Sequence, residues 1–221
     1  MNESHRTVAR KIANHHLAQS DSLGWFDDLY SRAQGNASII PWADLRPNPN
    51  LVACLDNAGI EGQGKSALKI GCGLGDDAEE IARRGFNTTA FDISPTAIAW
   101  CQRRFPGSAV TYIVLDLFHA PREWQGKFDF VLESYTLQVL PADIRRKAIS
   151  KISGFVVQGG KLLVITRGRE PSDSEDTMPW PLTREEVKGF AKCGMKEVSF
   201  EDYFDQKEPP VRRFRAVYER K

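Results

Sequence analysis

The chain has 221 residues, of which 41% are hydrophobic, and its 30 lysines and arginines nearly balance its 29 aspartates and glutamates. This composition argues against a disordered chain and against broad nucleic-acid binding, which needs a strong positive charge. No apolar stretch approaches the ~20 residues of a membrane span, and the polar start MNESHRTVARKIANHH lacks the apolar segment of a signal peptide. We expect a cytoplasmic monomer or homodimer with no nucleic-acid or membrane partner.

The beginning of the chain predicts helices without strands. Residues 3–20 form a polar helical pattern, and a Pro- and Asn-rich connection, PWADLRPNPN, leads to a second helical stretch near 51–57. Between them, four apolar side chains recur at helical spacing, on a face that we expect to be core: Trp25, Phe26, Leu29 and Tyr30. We therefore predict an N-terminal helical cap and lead-in over residues 1–60, and the main domain over residues 61–221.

Strand and helix patterns alternate from residue 67 onward. The predicted strands lie at 67–70, 88–91, 109–115, 128–133 and 161–166. The predicted helices lie at 76–84, 95–105, about 142–153 and 183–193. The tail segments KEVSFEDYF and VRRFRAVYER predict a hairpin, and the polar GREPSDSEDTMPWP predicts a mobile loop. The chain should be an α/β protein with a Rossmann-like, seven-stranded, mostly parallel sheet, helices on both faces and a C-terminal antiparallel hairpin.

A glycine-rich turn, IGCGLGDD, joins the first predicted strand to a helix. Its glycines, Gly71, Gly73 and Gly75, lie where a nucleotide-like ligand crosses the carboxyl ends of the strands. The turn also satisfies the G-x-G-x-x-A dinucleotide pattern, and a purely structural turn is an alternative. Asp76 and Asp77 would repel a pyrophosphate at the helix N-terminus, whereas S-adenosylmethionine has no phosphate and carries two positive groups. Equally, these two acids could simply cap the helix.

Two further acids follow predicted strands and could contact an adenosine. Asp92 ends the second strand, where a carboxylate can accept hydrogen bonds from both ribose hydroxyls. Asp116 follows the third strand and could meet the adenine edge, with Leu117 packed on the ring. The alternative for Asp116 is a helix cap.

Five segments in order, KIGCGLG, AFDIS, VLDLF, FDFVLE and GGKLLVI, resemble the class I S-adenosylmethionine-dependent methyltransferases over about residues 65–167. IGCGLGDD, VLPADIRR, MPWPLTREEV and WFDDLY...PW look most like the branch of thiopurine, halide/thiol and tellurite-resistance methyltransferases. Two departures stand out. Lys69 occupies a position where many class I enzymes have an acid, and LESYTLQVL lacks the branch's aspartate and arginine.

The resemblance implies S-adenosyl-L-methionine as cofactor, S-adenosyl-L-homocysteine as product and a small-molecule methyl acceptor. The cofactor-binding residues would be Gly71, Cys72, Gly73, Gly75, Asp77, Asp92, Ile93, Asp116, Leu117 and Glu133. The substrate or lid residues would be Tyr30, Trp42, Tyr135, Arg167 and Trp180. No histidine or cysteine spacing predicts a metal site.

Methyl transfer from a sulfonium needs mainly positioning and exclusion of water, so a catalytic triad is not required. The segment after the fourth strand contains Glu133 and Tyr135 but no histidine, which favours a thiol or other chalcogen as nucleophile. Glu133 is a candidate base or a buried acid near the cofactor, and Tyr135 is a candidate substrate contact or a packing residue. The alternatives are a nicotinamide-dependent oxidoreductase and a catalytically silent S-adenosylmethionine-binding module.

Overall fold

The computed structural model describes residues 3–174 and 178–221. Three helices come first: α1 (Glu3–Ala18), α2 (Trp25–Ala33) and α3 (Pro49–Asn57). Asn48 caps α3 by accepting a hydrogen bond from Asn50 N, and Pro49 supplies the preset φ angle that suits a first helical residue. The predicted helices at the start of the chain are therefore present.

Strands and helices then alternate. The strands are β1 (Ser66–Ile70), β2 (Asn87–Asp92), β3 (Thr111–Val114), β4 (Phe128–Ser134), β5 (Val156–Arg167), β6 (Met195–Phe204) and β7 (Arg212–Arg220). The helices are α4 (Asp76–Arg83), α5 (Pro95–Arg104), α6 (Ala142–Phe155), α7 (Arg184–Val187) and α8 (Gly189–Lys192). Short 3-10 helices lie at Ala37–Ile39, Leu117–His119, Arg122–Trp124 and Leu137–Val139.

The strands form one seven-stranded sheet in the order β3-β2-β1-β4-β5-β7-β6. β1 pairs with β4, β2 with β3 and β4 with β5 in parallel, while β7 pairs with β5 and β6 in antiparallel. Parallel strands need crossover connections, and the helices between them supply these crossovers. The predicted Rossmann-like sheet with its C-terminal hairpin is confirmed.

Two elements differ from the sequence prediction. The helix predicted over 183–193 is divided into α7 and α8 at Lys188, immediately before Gly189, and glycine is a poor helix former. β5 begins at Val156 rather than at 161, because the strand continues through Gly159 and Gly160 with a shift in its register against β4. The two glycines look like a break in the sequence, but the sheet accommodates them as an irregularity.

The chain divides into two compact units. Unit 1 comprises residues 1–63 and 71–116, and unit 2 comprises residues 64–70 and 117–221. The buried side chains of unit 1 include Trp25, Leu29, Leu51 and Leu55, and those of unit 2 include Phe128, Leu132, Leu163 and Phe190. The predicted domain boundary after residue 60 stays a prediction. Across the described ranges, no helix has both the length and the apolar composition needed to cross a membrane.

Candidate functional site

The turn between β1 and α4 places three glycines at backbone angles that other residues rarely adopt. Gly71, Gly73 and Gly75 have φ values of +55°, +56° and +94°, in the left-handed region that L side chains avoid. A Cβ atom on Gly73 would lie 3.3 Å from the Tyr30 hydroxyl, and one on Gly75 would lie 2.6 Å from the Tyr112 hydroxyl. Backbone conformation and close packing both require glycine here.

Asp92, the last residue of β2, holds this turn in place. Its Oδ2 accepts a hydrogen bond from Gly73 N at 2.9 Å, and its Oδ1 accepts one from Ser94 N at 3.0 Å. The residue is 7% exposed. Its carboxylate therefore lies directly beside the main chain of the turn, and its predicted contact with ribose hydroxyls stays a prediction.

Three other residues that the sequence predicts at the cofactor belong to unit 1. Ile93 and Asp116 are partly buried. Cys72 is buried, and its side chain lies in a hydrophobic cluster with Ala78, Ala90, Ile98, Cys101 and Val110. A contribution of Cys72 to binding would therefore come from its main chain, and the roles of Ile93 and Asp116 stay predictions.

The two acids that follow the turn have partners inside unit 1. Asp76 accepts hydrogen bonds from the Arg104 guanidinium at 2.8 and 2.7 Å, and Asp77 Oδ1 accepts one from Asn48 N at 2.8 Å. The charge of Arg104 offsets that of Asp76, so these acids argue against a pyrophosphate less strongly than the sequence suggests. Arg104 was missed because it ends α5, and no spacing rule links it to Asp76. The predicted cofactor contact of Asp77 stays a prediction.

Tyr30 and Trp42, two of the predicted lid residues, lie against the glycine turn. Trp42 Nε1 donates a hydrogen bond to the Tyr30 hydroxyl at 2.8 Å. A Cβ atom on Gly73 would lie 3.3 Å from Tyr30 Oη and 3.8 Å from Trp42 Nε1. The Tyr30 ring also makes edge-on contacts with Trp42 and Trp100, each with ring centres 6.0 Å apart. Tyr30 therefore belongs both to the predicted core face of α2 and to the surroundings of the turn.

Asp27 attaches α2 to the beginning of α5. Its Oδ1 accepts hydrogen bonds from Ser94 Oγ at 2.5 Å and from Thr96 N at 3.1 Å. Ser94 in turn caps α5 by accepting a hydrogen bond from Ala97 N at 3.0 Å. Burial raises the pKa of Asp27, but the hydrogen bonds from Ser94 and Thr96 outweigh burial, and the pKa lies below its ordinary value.

Glu133 lies in unit 2, near the end of β4, and is completely buried. Its Oε1 accepts hydrogen bonds from Thr136 N at 2.8 Å and Leu137 N at 2.9 Å. Its Oε2 has no hydrogen-bond partner among the residues that the structure describes. Burial raises the pKa of Glu133 to about 7, although the Leu137 amide and the Lys69 ammonium oppose this rise. A buried carboxyl with one unpartnered oxygen can exchange a proton near neutral pH.

Tyr135 follows β4 in an unusual backbone conformation. Its φ is +63°, which is uncommon for a bulky residue and characteristic of sites under functional constraint. Its N donates to Ile165 O at 2.9 Å, and the Arg213 guanidinium lies 5.2 Å from the centre of its ring. Asp205 accepts hydrogen bonds from Arg213 Nε and Nη2 at 2.9 and 2.7 Å. Arg213 was not predicted, because β7 lies far from Tyr135 along the chain.

Arg167 and Trp180 come together on Gln138 in unit 2. Gln138 Oε1 accepts a hydrogen bond from Arg167 N at 2.9 Å, and Gln138 O accepts one from Trp180 N at 2.7 Å. Gln138 was missed, since an amide inside LESYTLQVL resembles no binding motif. Leu117 is buried in unit 2. Residues 175–177 of the predicted mobile loop lie outside the described residues.

Comparison with known proteins identifies the family. The profile of a family described as a methyltransferase domain matches residues 67–160. A ubiquinone biosynthesis O-methyltransferase of Dechloromonas aromatica (strain RCB) is 30% identical over 167 residues, which cover 72% of this chain and 67% of that protein. The chain belongs to the class I S-adenosylmethionine-dependent methyltransferases. The predicted class and the predicted cofactor, S-adenosylmethionine, are thus confirmed at the level of the family.

Two other methyltransferases match over less of their length or at lower sequence identity. The chain spans about half of a ubiquinone biosynthesis O-methyltransferase of Pseudomonas aeruginosa (strain UCBPP-PA14), with 33% identity over 127 residues, 56% of this chain and 53% of that protein. The solved structure of Burkholderia thailandensis 1,6-didemethyltoxoflavin-N1-methyltransferase, with bound 1,6-didemethyltoxoflavin and S-adenosylhomocysteine, matches with a TM-score of 0.69 and 15% identity. That match covers 93% of this chain and 89% of the other, and it shows the shared fold.

Proposed function

We propose that this chain transfers the methyl group of S-adenosylmethionine to a small molecule. The glycine turn bonded to Asp92 carries this proposal, since it combines three glycines at positive φ with a nearly buried carboxylate. When bound, S-adenosylmethionine supplies a methyl group on a sulfonium, which is already a good leaving group. The protein has mainly to bind, orient and exclude water.

The cofactor fits the side chains around the turn. Asp92 is nearly buried beside the turn, and we propose that its carboxylate accepts hydrogen bonds from the ribose hydroxyls. The Asp77 carboxylate in the first turn of α4 disfavours a phosphate at this helix N-terminus. We propose that Gly71, Gly73 and Gly75 give the cofactor close access to the main chain. Ile93 is proposed to contact the cofactor, Asp116 to meet the adenine edge and Leu117 to pack on the adenine ring.

The acceptor side of the proposal rests on Glu133 and Tyr135. We propose that Glu133 Oε2 receives the proton that a thiol or hydroxyl acceptor loses on methylation, because this oxygen has no partner in the described part of the chain. Because Glu133 is completely buried, Oε2 can contact the acceptor only if the acceptor, or one water molecule that bridges to it, enters the protein interior. Tyr135 is proposed to contact the acceptor, Arg167 to steady an anionic group on the acceptor, and Trp180 to shield the sulfonium of the cofactor.

We propose a thiol or other chalcogen as the first candidate acceptor, because the segment after β4 contains no histidine base and because IGCGLGDD and VLPADIRR resemble the thiopurine, halide/thiol and tellurite-resistance branch. A hydroxyl acceptor is the second candidate, and the available base at Glu133 favours it, since a hydroxyl usually needs proton removal. The O-methyltransferase names of two relatives agree with this second candidate. The family match does not favour a nicotinamide-dependent oxidoreductase or a catalytically silent module.

Mass-spectrometric detection of S-adenosylhomocysteine formation tests the proposal. The purified chain is incubated with S-adenosylmethionine and, separately, 2-mercaptoethanol, catechol or iodide. We expect product with a protic acceptor, and Glu133→Gln should slow that reaction while leaving iodide methylation unchanged, because iodide has no proton to lose. Binding of S-adenosylmethionine without turnover of any acceptor would support the silent module instead.

A further inference from the structure

The hydroxyl of Tyr30 is a buried hydrogen-bond donor without an acceptor among the residues that the structure describes. The residue is 1% exposed. Its oxygen accepts the hydrogen bond from Trp42 Nε1, but no described residue accepts the proton of the Tyr30 hydroxyl. A buried donor left unsatisfied costs about 1 to 3 kcal/mol, so native structures usually provide it with a partner. An acceptor atom on a bound ligand would remove this cost.

The position of this donor indicates which ligand it meets. Tyr30 Oη would lie 3.3 Å from a Cβ atom on Gly73, so it is aimed at the centre of the glycine turn. Asp92, which is bonded to Gly73 N, raises the pKa of Tyr30 further above the level set by burial. The hydroxyl therefore keeps its proton at all ordinary pH values. Because Trp42 Nε1 can only donate, the Tyr30 proton has to be accepted by an atom other than those of the Trp42 indole.

We propose that Tyr30 donates a hydrogen bond to the carboxylate of the amino-acid part of the cofactor, which makes the N-terminal cap part of the cofactor site. The inference rests on the proposed function. Ribose hydroxyls are donors toward Asp92, whereas the carboxylate is the strongest acceptor that S-adenosylmethionine offers. Tyr30 would then discriminate the complete cofactor from adenosine derivatives that lack the amino-acid part.

The cap is attached firmly enough to position this donor. Asp27 binds the beginning of α5 through Ser94 and Thr96, and Asp77 on α4 accepts a hydrogen bond from Asn48 N. These contacts lie on both sides of Tyr30 along the chain. These hydrogen bonds hold α2 in place, so the Tyr30 hydroxyl is preorganised for binding.

Calorimetry with two ligands tests the proposal without an acceptor or turnover. S-adenosylhomocysteine contains the amino-acid carboxylate, and 5′-methylthioadenosine lacks it. Tyr30→Phe should raise the Kd for S-adenosylhomocysteine about 10- to 100-fold, the range for loss of a hydrogen bond to a charged group, and change the Kd for 5′-methylthioadenosine less than about twofold. Equal weakening of both ligands, or no weakening, would overturn the proposal.

Two variants and the wild type control the experiment. Tyr218→Phe removes another buried hydroxyl, bonded to Val187 O at 3.0 Å in unit 2, and should leave both affinities unchanged. Trp42→Phe removes the donor that orients the Tyr30 hydroxyl but keeps the Tyr30 proton, so its selective loss of S-adenosylhomocysteine affinity should be smaller than that of Tyr30→Phe; a larger selective loss would contradict the assignment to Tyr30. Thermal unfolding establishes that each variant is folded. A wild-type protein that binds neither ligand would refute the proposed function itself.

Discussion

The glycine turn is constrained at two of its positions by different neighbours. Gly73 faces the Tyr30 hydroxyl, which belongs to the proposed ligand surroundings, whereas Gly75 faces Tyr112, Phe105 and Cys101. Both positions have positive φ, so any side chain is strained there even without a contact. Gly75 therefore has a packing role in unit 1 beside its proposed contact with the cofactor, whereas Gly73 lies against the proposed ligand surroundings.

Alanine substitutions should separate these two roles. Gly75→Ala should destabilise the protein more than Gly73→Ala, because its Cβ would lie 2.6 Å from the Tyr112 hydroxyl, closer than the 3.3 Å contact at Gly73. The backbone strain alone is about 1 to 2 kcal/mol for each. Gly107 has no heavy atom within 4 Å of its Cβ position and no positive φ, so Gly107→Ala should be nearly neutral. Urea unfolding measures the free energy of unfolding of all three variants. Similar losses of stability in Gly75→Ala and Gly107→Ala would contradict the packing argument.

Glu133 should make stability depend on pH. Its pKa rises from 4.5 in the unfolded chain to about 7 in the folded one. At pH values between these two pKa values, the folded state binds more protons than the unfolded state. The contribution of Glu133 to the free energy of unfolding therefore falls as pH rises through the window from 4.5 to about 7, and it is constant at higher pH. Relative to wild type, Glu133→Gln should gain stability progressively across the same window. Urea unfolding at a series of pH values checks this, and parallel curves for the two proteins would contradict it.

At the scale of elements, the attachment of α2 to α5 depends on one carboxylate. Asp27 Oδ1 accepts from both Ser94 Oγ and Thr96 N, so a single acid satisfies the side chain of the cap residue and a free amide at the start of α5. The N-terminal helical cap is therefore attached by hydrogen bonds to α5, the helix that follows Asp92, in addition to its covalent connection along the chain.

Asp27→Ala should cost about 1 to 2 kcal/mol of stability at neutral pH, the range for two lost hydrogen bonds to a charged acceptor that is only partly buried. Because the pKa of Asp27 is lowered in the folded state, its contribution is present above pH 3.8 and is lost as pH falls through the lowered value. The exposed Asp143 in the first turn of α6 provides a control, and Asp143→Ala should be within about 0.5 kcal/mol of wild type. Chemical unfolding compares them, and equal losses would contradict the bracing role of Asp27.

At the scale of the whole molecule, the fold could be predicted well because local patterns determine it. Strand and helix periodicity, the Ser94 cap and the glycine turn each depend on neighbouring residues in the chain. The partners of the site could not be predicted in this way. Arg104, Gln138 and Arg213 meet Asp76, Arg167 and Tyr135 only through tertiary packing, and no spacing rule describes such contacts. The unpartnered oxygen of Glu133 likewise becomes visible only when its surroundings are known.

The central claim is that the glycine turn and Asp92 bind S-adenosylmethionine. Titration calorimetry of S-adenosylhomocysteine and NADH into wild type and Asp92→Ala tests it most directly. We predict one S-adenosylhomocysteine per chain, no binding of NADH, and a Kd at least about tenfold higher for Asp92→Ala, since hydrogen bonds to a charged acceptor are worth about 1.5 to 3 kcal/mol each. Binding of NADH alone, or an unchanged Kd in the variant, would contradict the account.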